Sequence, residues 1–244
     1  MTIEEAIEIR RSRRKYLNKP IEPHIAAKLR GLADEYSKTS GIRIELVFNN
    51  GTAFNGFRKS YGMFSGVNDY AVLIADKRDK ASVEKLGYYG ELLLLHAVMN
   101  GLGTCWVGGS FNRSDINAVL SDSEEFICAI TVGQTDDKDS LKERLVRSMT
   151  HRKTKSVTDM YESDADVPEW FIHGMEAVAK APSAVNRQPV VFSYKSGSVT
   201  AAVAKYNEAM YALDFGIAKL HFENGSGGGI WEWGNNGRFE RINE

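Results

Sequence analysis

Apolar positions near the N-terminus follow helical spacing: Ile3, Ala6, Ile7 and Ile9 fall on one side of a helix predicted over residues 2–12. Thr2 and Glu5 supply a T-x-x-E capping box at its start. The stretch Pro20-Ile21-Glu22-Pro23 breaks the chain, and a second helix is predicted over 23–38 from the spacing of Ile25, Leu29, Leu32 and Tyr36. From Ile42, "IRIELVFN" alternates between apolar and polar positions as a half-buried strand does. "YAVLIAD" (70–76) and "FICAITVG" (126–133) are continuous apolar runs of strand length, and a short polar helix is predicted near "RSDINAVL" (113–120). Between these strands lies "ELLLLHAVMNGLG" (91–103), apolar nearly all the way round. Such a run predicts a helix packed on several sides, with Gly101 as its C-terminal stop. It is well short of the roughly 18–20 apolar residues that span a bilayer, so no membrane segment is expected. Strands mixed irregularly with helices place the chain in the α+β class.

Beyond Val146 this order of elements recurs. "IEIRRSRRKY" and "PIEPHIAAKLRGLADEYSKTSGIRIELVFNNG" lie over "VRSMTHRKTKS" and "VPEWFIHGMEAVAKAPSAVNRQPVVFSYKSG", each a basic cluster, a proline, an amphipathic helix, a polar turn and a strand. "YYGELLLLHAVMNGLGTCWVGG" likewise lies over "NEAMYALDFGIAKLHFENGSGGGIWEW". The expected organisation is two pseudo-symmetric half repeats, 1–146 and 147–244, forming one compact unit. The Gly-rich tract at 226–229 lacks the G-K-S/T spacing of a phosphate loop and is expected to match the Gly108-Gly109 turn.

Charge changes this picture at one place. The chain carries 31 Lys+Arg against 32 Asp+Glu, a formal net charge of -1, yet Arg10, Arg11, Arg13, Arg14 and Lys15 surround a single serine. Basic residues elsewhere are dispersed, which excludes a nucleic-acid-tracking face and leaves a small, local anion. Arginine suits a phosphate dianion because its planar fork forms paired, charge-assisted hydrogen bonds. On a helical or turn path Arg10, Ser12 and Arg14 converge, while Arg11 and Arg13 point elsewhere. The same cluster also fits a solvated cationic helix end. "APSAVNRQP" (181–189) holds the small and turn-forming residues that let backbone approach a flat ring, with Ser183, Asn186 and Gln188 offering donors and acceptors. It reads equally as a helix-to-strand turn. Cys105 and Cys128 are too few for a disulfide framework, no metal-ligand spacing occurs, and Cys105 is expected to be a small buried residue. With no secretory pattern at the start, a cytoplasmic setting is expected. His96, on the apolar helix, is expected to be a hydrogen-bonded core residue, and no nucleophile-His-acid arrangement is apparent.

"RRSRRKY" (10–16) and "APSAVNRQPVVF" (181–192), together with "GLGTCWVGGSF" (101–111), resemble the flavin-binding signatures of the nitroreductase family of FMN-dependent oxidoreductases. The resemblance spans most of the chain. Ordinary members are homodimers with two flavins at the subunit interface and both signatures near the N-terminus. Here A-P-S comes late, so the chain resembles the single-chain TM nitroreductase group, in which two half-like repeats imitate the dimer. The resemblance implies one FMN per chain, its phosphate held by Arg10, Arg11, Ser12 and Arg14, with Arg152 and Lys153 completing the cradle. It places Pro182, Ser183 and Ala184 along the ring, and Asn186 and Gln188 on the loop or the ribityl chain. Trp106, Val107, Gly108 and Gly109 would line the other side, where backbone N–H groups stabilise charge on the reduced ring. Val190 stands where many relatives have an aromatic residue. Implied further are NADH or NADPH as reductant, a nitroaromatic, quinone or similar oxidant, and a monomeric pseudo-dimer or weak homodimer. The aromatic, cationic segment 57–64 would form a substrate lid. The alternative on the same fold is a non-catalytic flavin-binding sensor or storage protein.

Overall fold

Helix α1 (Ile3–Ile9) begins at the expected capping box: Glu5 N–H donates to Thr2 Oγ1 at 3.2 Å and Thr2 N–H to Glu5 Oε2 at 2.8 Å. It ends three residues earlier than its apolar spacing predicts. Arg10 turns to extended backbone (φ -57°, ψ 133°), and the chain is drawn into pairing with the first sheet. Helix α2 (Pro23–Ser40) starts on a proline, whose absent N–H costs nothing there, and stops at Gly41 in the left-handed region. The computed structural model describes residues 1–56, 60, 62–116, 118–136 and 154–242. Strands β1 (Arg43–Val47) and β2 (Asp69–Asp76) follow, then helix α3 (Ser82–Met99) and strands β3 (Gly103–Val107) and β4 (Glu124–Gly133). Gly101 ends α3 at φ 77°, as expected. The predicted polar helix is one 3-10 turn, Arg113–Asp115, with Asn117 outside the described residues.

The second part opens with a short strand β5 (Tyr161–Ser163), then helix α4 (Glu169–Lys180), strands β6 (Val190–Lys195) and β7 (Ser198–Val203), helix α5 (Ala209–Gly225) and strands β8 (Gly229–Trp231) and β9 (Arg238–Arg241). The order α-β-β-α-β-β thus occurs twice, from α2 to β4 and from α4 to β9. The sheets agree as well. The first runs β1-β2-β4-β3 and the second β6-β7-β9-β8 with β5 added in parallel to β6; all other pairings are antiparallel. The tract at 226–229 lies between α5 and β8, the place held in the first half by Gly101 between α3 and β3. The expected match to Gly108-Gly109, which follow β3, is therefore corrected by one strand.

Period-two alternation assigns β2 to two cores. Ala71, Leu73 and Ala75 face α2 and α3, while Tyr70, Val72 and Ile74 face an outer cluster with Phe54, Phe64 and Phe111. Of the aromatics expected in the lid, Phe64 is buried against Phe54, which itself stacks on Phe111 with centroids 5.4 Å apart. Phe57, Arg58, Lys59 and Tyr61 lie outside the described residues.

Helices α3 and α5 cross at reciprocal glycines. A Cβ on Gly87 would stand 2.1 Å from the Leu213 carbonyl oxygen, and one on Gly216 would stand 1.9 Å from that of Glu84, each carbonyl being three residues before the opposing glycine. Only a hydrogen at both positions permits this approach. A satisfied buried ion pair flanks the crossing: Lys219 Nζ donates to Glu84 Oε1 at 2.5 Å and to the Glu232 carbonyl at 2.8 Å, while the Tyr206 hydroxyl and Gly234 N–H donate to Glu84 Oε2. Replacing one partner would strand a buried charge, so the pair locks the two halves in one register.

Candidate functional site

Residues 10–17 run extended along β3. Ser12 pairs with Thr104, Arg13 N–H donates to the Thr104 carbonyl at 2.8 Å, Tyr16 N–H to that of Ser65 and Leu17 N–H to that of Gln134. The segment covers the free edge of the first sheet, which explains why a basic run follows an interrupted helix. Extended backbone still places Arg10, Ser12 and Arg14 on one side, because residues two apart share a face. The expected convergence stands, although the path is extended rather than helical. Arg13 leaves the group as expected. It is buried, and its Nη1 donates to Thr135 Oγ1 at 2.9 Å beside Gly103, where a Cβ would collide with both side chains.

The A-P-S loop follows α4 directly. Val185, Asn186 and Gln188 all have positive φ (50°, 52° and 48°), a costly conformation for a β-branched valine. Side chains behind the loop impose it. Asp214 on α5 accepts the Ala184 N–H on both carboxylate oxygens, at 3.0 and 3.1 Å. Ser183 Oγ accepts Gln188 N–H at 2.9 Å, and Gln188 Nε2 donates to Asn186 Oδ1 at 3.1 Å. Gln188 is itself buried and receives Lys155, whose N–H donates to Oε1 at 3.0 Å and whose Nζ donates to the Gln188 carbonyl at 2.8 Å. Burial pushes the Asp214 carboxyl up to about 7, against the opposing pull of the Ala184 hydrogen bond and the Arg187 charge.

These two segments, about 170 residues apart, face one another across a cavity of about 500 Å³. One wall is Arg10, Arg11, Ser12 and Arg14; the other is Pro182, Ser183 and Asn186. Arg11 therefore reaches the cavity despite its position in the alternation. Met63, Lys180 and Val185 complete the rim, with Lys180 paired to Glu8. Ala184 and Gln188 stand behind the lining. Arg152 and Lys153 lie outside the described residues, and the adjacent Thr154 lines the cavity.

The third segment is not brought to this wall. The Trp106 side chain turns toward α3, where its Nε1 donates to Glu91 Oε2 at 2.6 Å. Val107 points to the outer aromatic cluster, and Gly108 lies against Met210, with a Cβ there 3.1 Å from Sδ. Neither they nor Gly109 line the cavity. Alternation accounts for this placement: residues of β3 point either into the helix layer or into the outer core. Cys105 is buried as expected, its Sγ 3.3 Å from the Trp106 carbonyl. His96 departs from expectation, since its buried Nδ1 has no hydrogen-bond partner among the described residues.

Sequence reasoning missed Glu91, His221 and Asp214. Each is a polar residue within an apolar helix, and its partners lie in other elements, so no local pattern identifies it. Elsewhere, a larger cleft of about 610 Å³ opens beside α2 and β1, but its charges neutralise one another through Arg43–Glu45, Arg43–Glu124 and Arg78–Asp76 pairs. Among the described residues no group of His, Cys, Asp or Glu could hold a metal ion, and no helix is long and apolar enough to cross a membrane.

The fold is that of a Thermotoga maritima protein of nitroreductase type, 18% identical, with 99% of this chain and 94% of that chain covered at a TM-score of 0.65. An FMN-dependent nitroreductase of Clostridium difficile R20291 is 19% identical over 62% of this chain and 98% of its own, at a TM-score of 0.44. A nitroreductase-type protein of Desulfovibrio desulfuricans in complex with FMN is 18% identical over 60% and 96%, at 0.43. No curated protein matches the sequence. The family model described as "Putative TM nitroreductase" matches residues 2–226, nearly the whole length, and the chain belongs to that family.

Proposed function

We propose that the chain binds one FMN in the cavity between residues 10–14 and 181–186 and works as an NAD(P)H-dependent oxidoreductase. The observation that carries this reading is the meeting of the basic segment and the A-P-S loop, from opposite ends of the sequence, around one cavity. Its size falls within the roughly 300–1,000 Å³ of small-molecule and cofactor sites. The donor set fits a phosphate. Arg10 Nη1 is buried with no hydrogen-bond partner among the described residues, which is costly unless an anion meets it.

Bound FMN would supply hydride transfer from a reduced nicotinamide to an oxidant such as a nitroaromatic or quinone. The chain's part is to bind and orient. Arg10, Arg11, Ser12 and Arg14 hold the phosphate, with Arg152 and Lys153 proposed to complete its cradle. Pro182, Ser183 and Asn186 present backbone and polar side chains to the flavin, and Ala184 and Gln188 fix the loop through Asp214 and Lys155. Trp106, Val107, Gly108 and Gly109 are left to packing. The twice-used topology supports an internal duplication in which α3 and α5 imitate a dimer interface. Each signature occurs once, so one cavity per chain follows, and the unit is complete as a monomer.

The test is consumption of NADH or NADPH by the flavin-loaded protein with a quinone as oxidant. Sustained consumption that depends on bound FMN is expected. Bound flavin that neither nucleotide reduces would instead make the chain a flavin-binding protein without this activity.

A further inference from the structure

Glu91 is fully buried on α3, yet three other segments converge on it. Its Oε2 accepts the Trp106 indole N–H from β3 at 2.6 Å. Its Oε1 lies 3.1 Å from His221 Nε2 on α5 and 3.7 Å from Arg10 Nε. The other imidazole nitrogen of His221, Nδ1, lies 3.0 Å from the Ala177 carbonyl of α4. A carbonyl oxygen only accepts, so Nδ1 carries a proton. Nε2 meets a carboxylate oxygen, so a second proton lies between His221 and Glu91 whichever of the two holds it. Glu91 and His221 are then neutral as a pair, and Arg10 keeps its full charge. The guanidinium, its side chain 10% exposed, has the Glu91 carboxylate behind it at ion-pair distance, while Nε and Nη1 both lack a hydrogen-bond partner among the described residues.

We propose that Glu91 is a positioning residue for Arg10, aiming its guanidinium at the anion in the cavity, and that His221 acts through Glu91. This rests on the reading of the cavity as an FMN phosphate site. The proposal differs from simple electrostatics in sign. Glu91 and His221 together carry no net charge, so if Glu91 contributed only charge, Glu91→Gln would leave FMN binding unchanged or, with His221 still protonated, tighten it. If Glu91 positions Arg10, the same change loosens it, because Arg10 loses the carboxylate that orients it from behind. The loss falls on the phosphate alone, since neither Glu91 nor His221 lines the cavity.

The experiment compares FMN with riboflavin, which lacks the phosphate, in equilibrium binding to the full chain freed of flavin. The wild type is expected to prefer FMN strongly. Glu91→Gln should lower that preference about tenfold or more, the scale of truncating a buried charged partner, with riboflavin affinity changed less than about twofold. His221→Gln should act in the same direction, and Glu91→Gln in an Arg10→Ala background should add no further loss. Unchanged or tighter FMN binding in Glu91→Gln overturns the proposal while leaving the FMN site standing. Equal weakening of FMN and riboflavin also overturns it. A wild type that does not distinguish the two flavins brings down the phosphate reading and the proposal together. Should Glu91→Gln not fold, the same ratio in His221→Gln decides, with the same outcomes.

Discussion

Asp214 shows how a residue that no motif marks can govern a loop. Its carboxylate is the acceptor that holds Ala184, and through it the run of positive φ values at Val185, Asn186 and Gln188. Burial raises its pKa in the folded chain to about 7 from an ordinary value of 3.8. An acid raised in this way binds more protons folded than unfolded. Its contribution is therefore fully present below about pH 4 and is lost as pH rises toward 7. Glu223, raised to about 7 by burial against the opposing Tyr88 hydrogen bond, acts in the same window. Asp214→Asn keeps an oxygen for the Ala184 N–H and removes the titration. Relative to wild type it should gain stability between pH 5 and pH 8, on the order of 2–4 kcal/mol, as read from urea unfolding at the two pH values. An identical pH dependence in both proteins would count against a buried, proton-holding Asp214. Arg10, Ser12, Arg14 and the A-P-S loop could be found in the sequence because charge density and turn chemistry are local signals. Glu91, His221 and Asp214 could not, because their chemistry depends on partners supplied by other elements.

At the scale of elements, hydrophobic patterning identified β1, β2, β4, α2 and the C-terminal half of α3, but missed β3 and the first half of α3, and it failed where tertiary pairing overrode it. The helix predicted to residue 12 stops at Ile9 because the following residues complete the edge of β3. Phe64, expected at the end of a lid, is instead in a core, a role that an aromatic-rich, Gly-rich composition does not distinguish from mobility. Trp106 and Val107 were assigned to the flavin from their motif, but the pleat of β3 turns them away from the cavity. The crossing of α3 and α5 gives the sharpest element-scale prediction. At Gly216 a Cβ would stand 1.9 Å from a carbonyl oxygen, so Gly216→Ala forces the helices apart. A loss of about 2–3 kcal/mol or more in unfolding free energy is expected, and Gly87→Ala should behave alike. A denaturant midpoint unmoved by either change would mean that the close crossing does not exist.

At the scale of the whole molecule, two sheets of matching strand order enclose a pair of crossing helices, and the segments proposed to hold FMN come one from each half. That arrangement accounts for the uneven distribution of motifs in the sequence. A site built between halves needs the basic segment from one and the A-P-S loop from the other, so the remaining copies are free to diverge. The turn between α2 and β1, which holds the place of the A-P-S loop, lacks the Pro-Ser-Asn-Gln set, and the basic run near residue 150 lacks the R-R-S spacing. The most direct measurement of this account is the amount and identity of flavin released by heat from the purified chain, counted per polypeptide. The account predicts FMN at about one per chain when saturated, with the protein eluting as a single copy in size-exclusion chromatography. Two flavins per chain, or no uptake of added FMN, would contradict it.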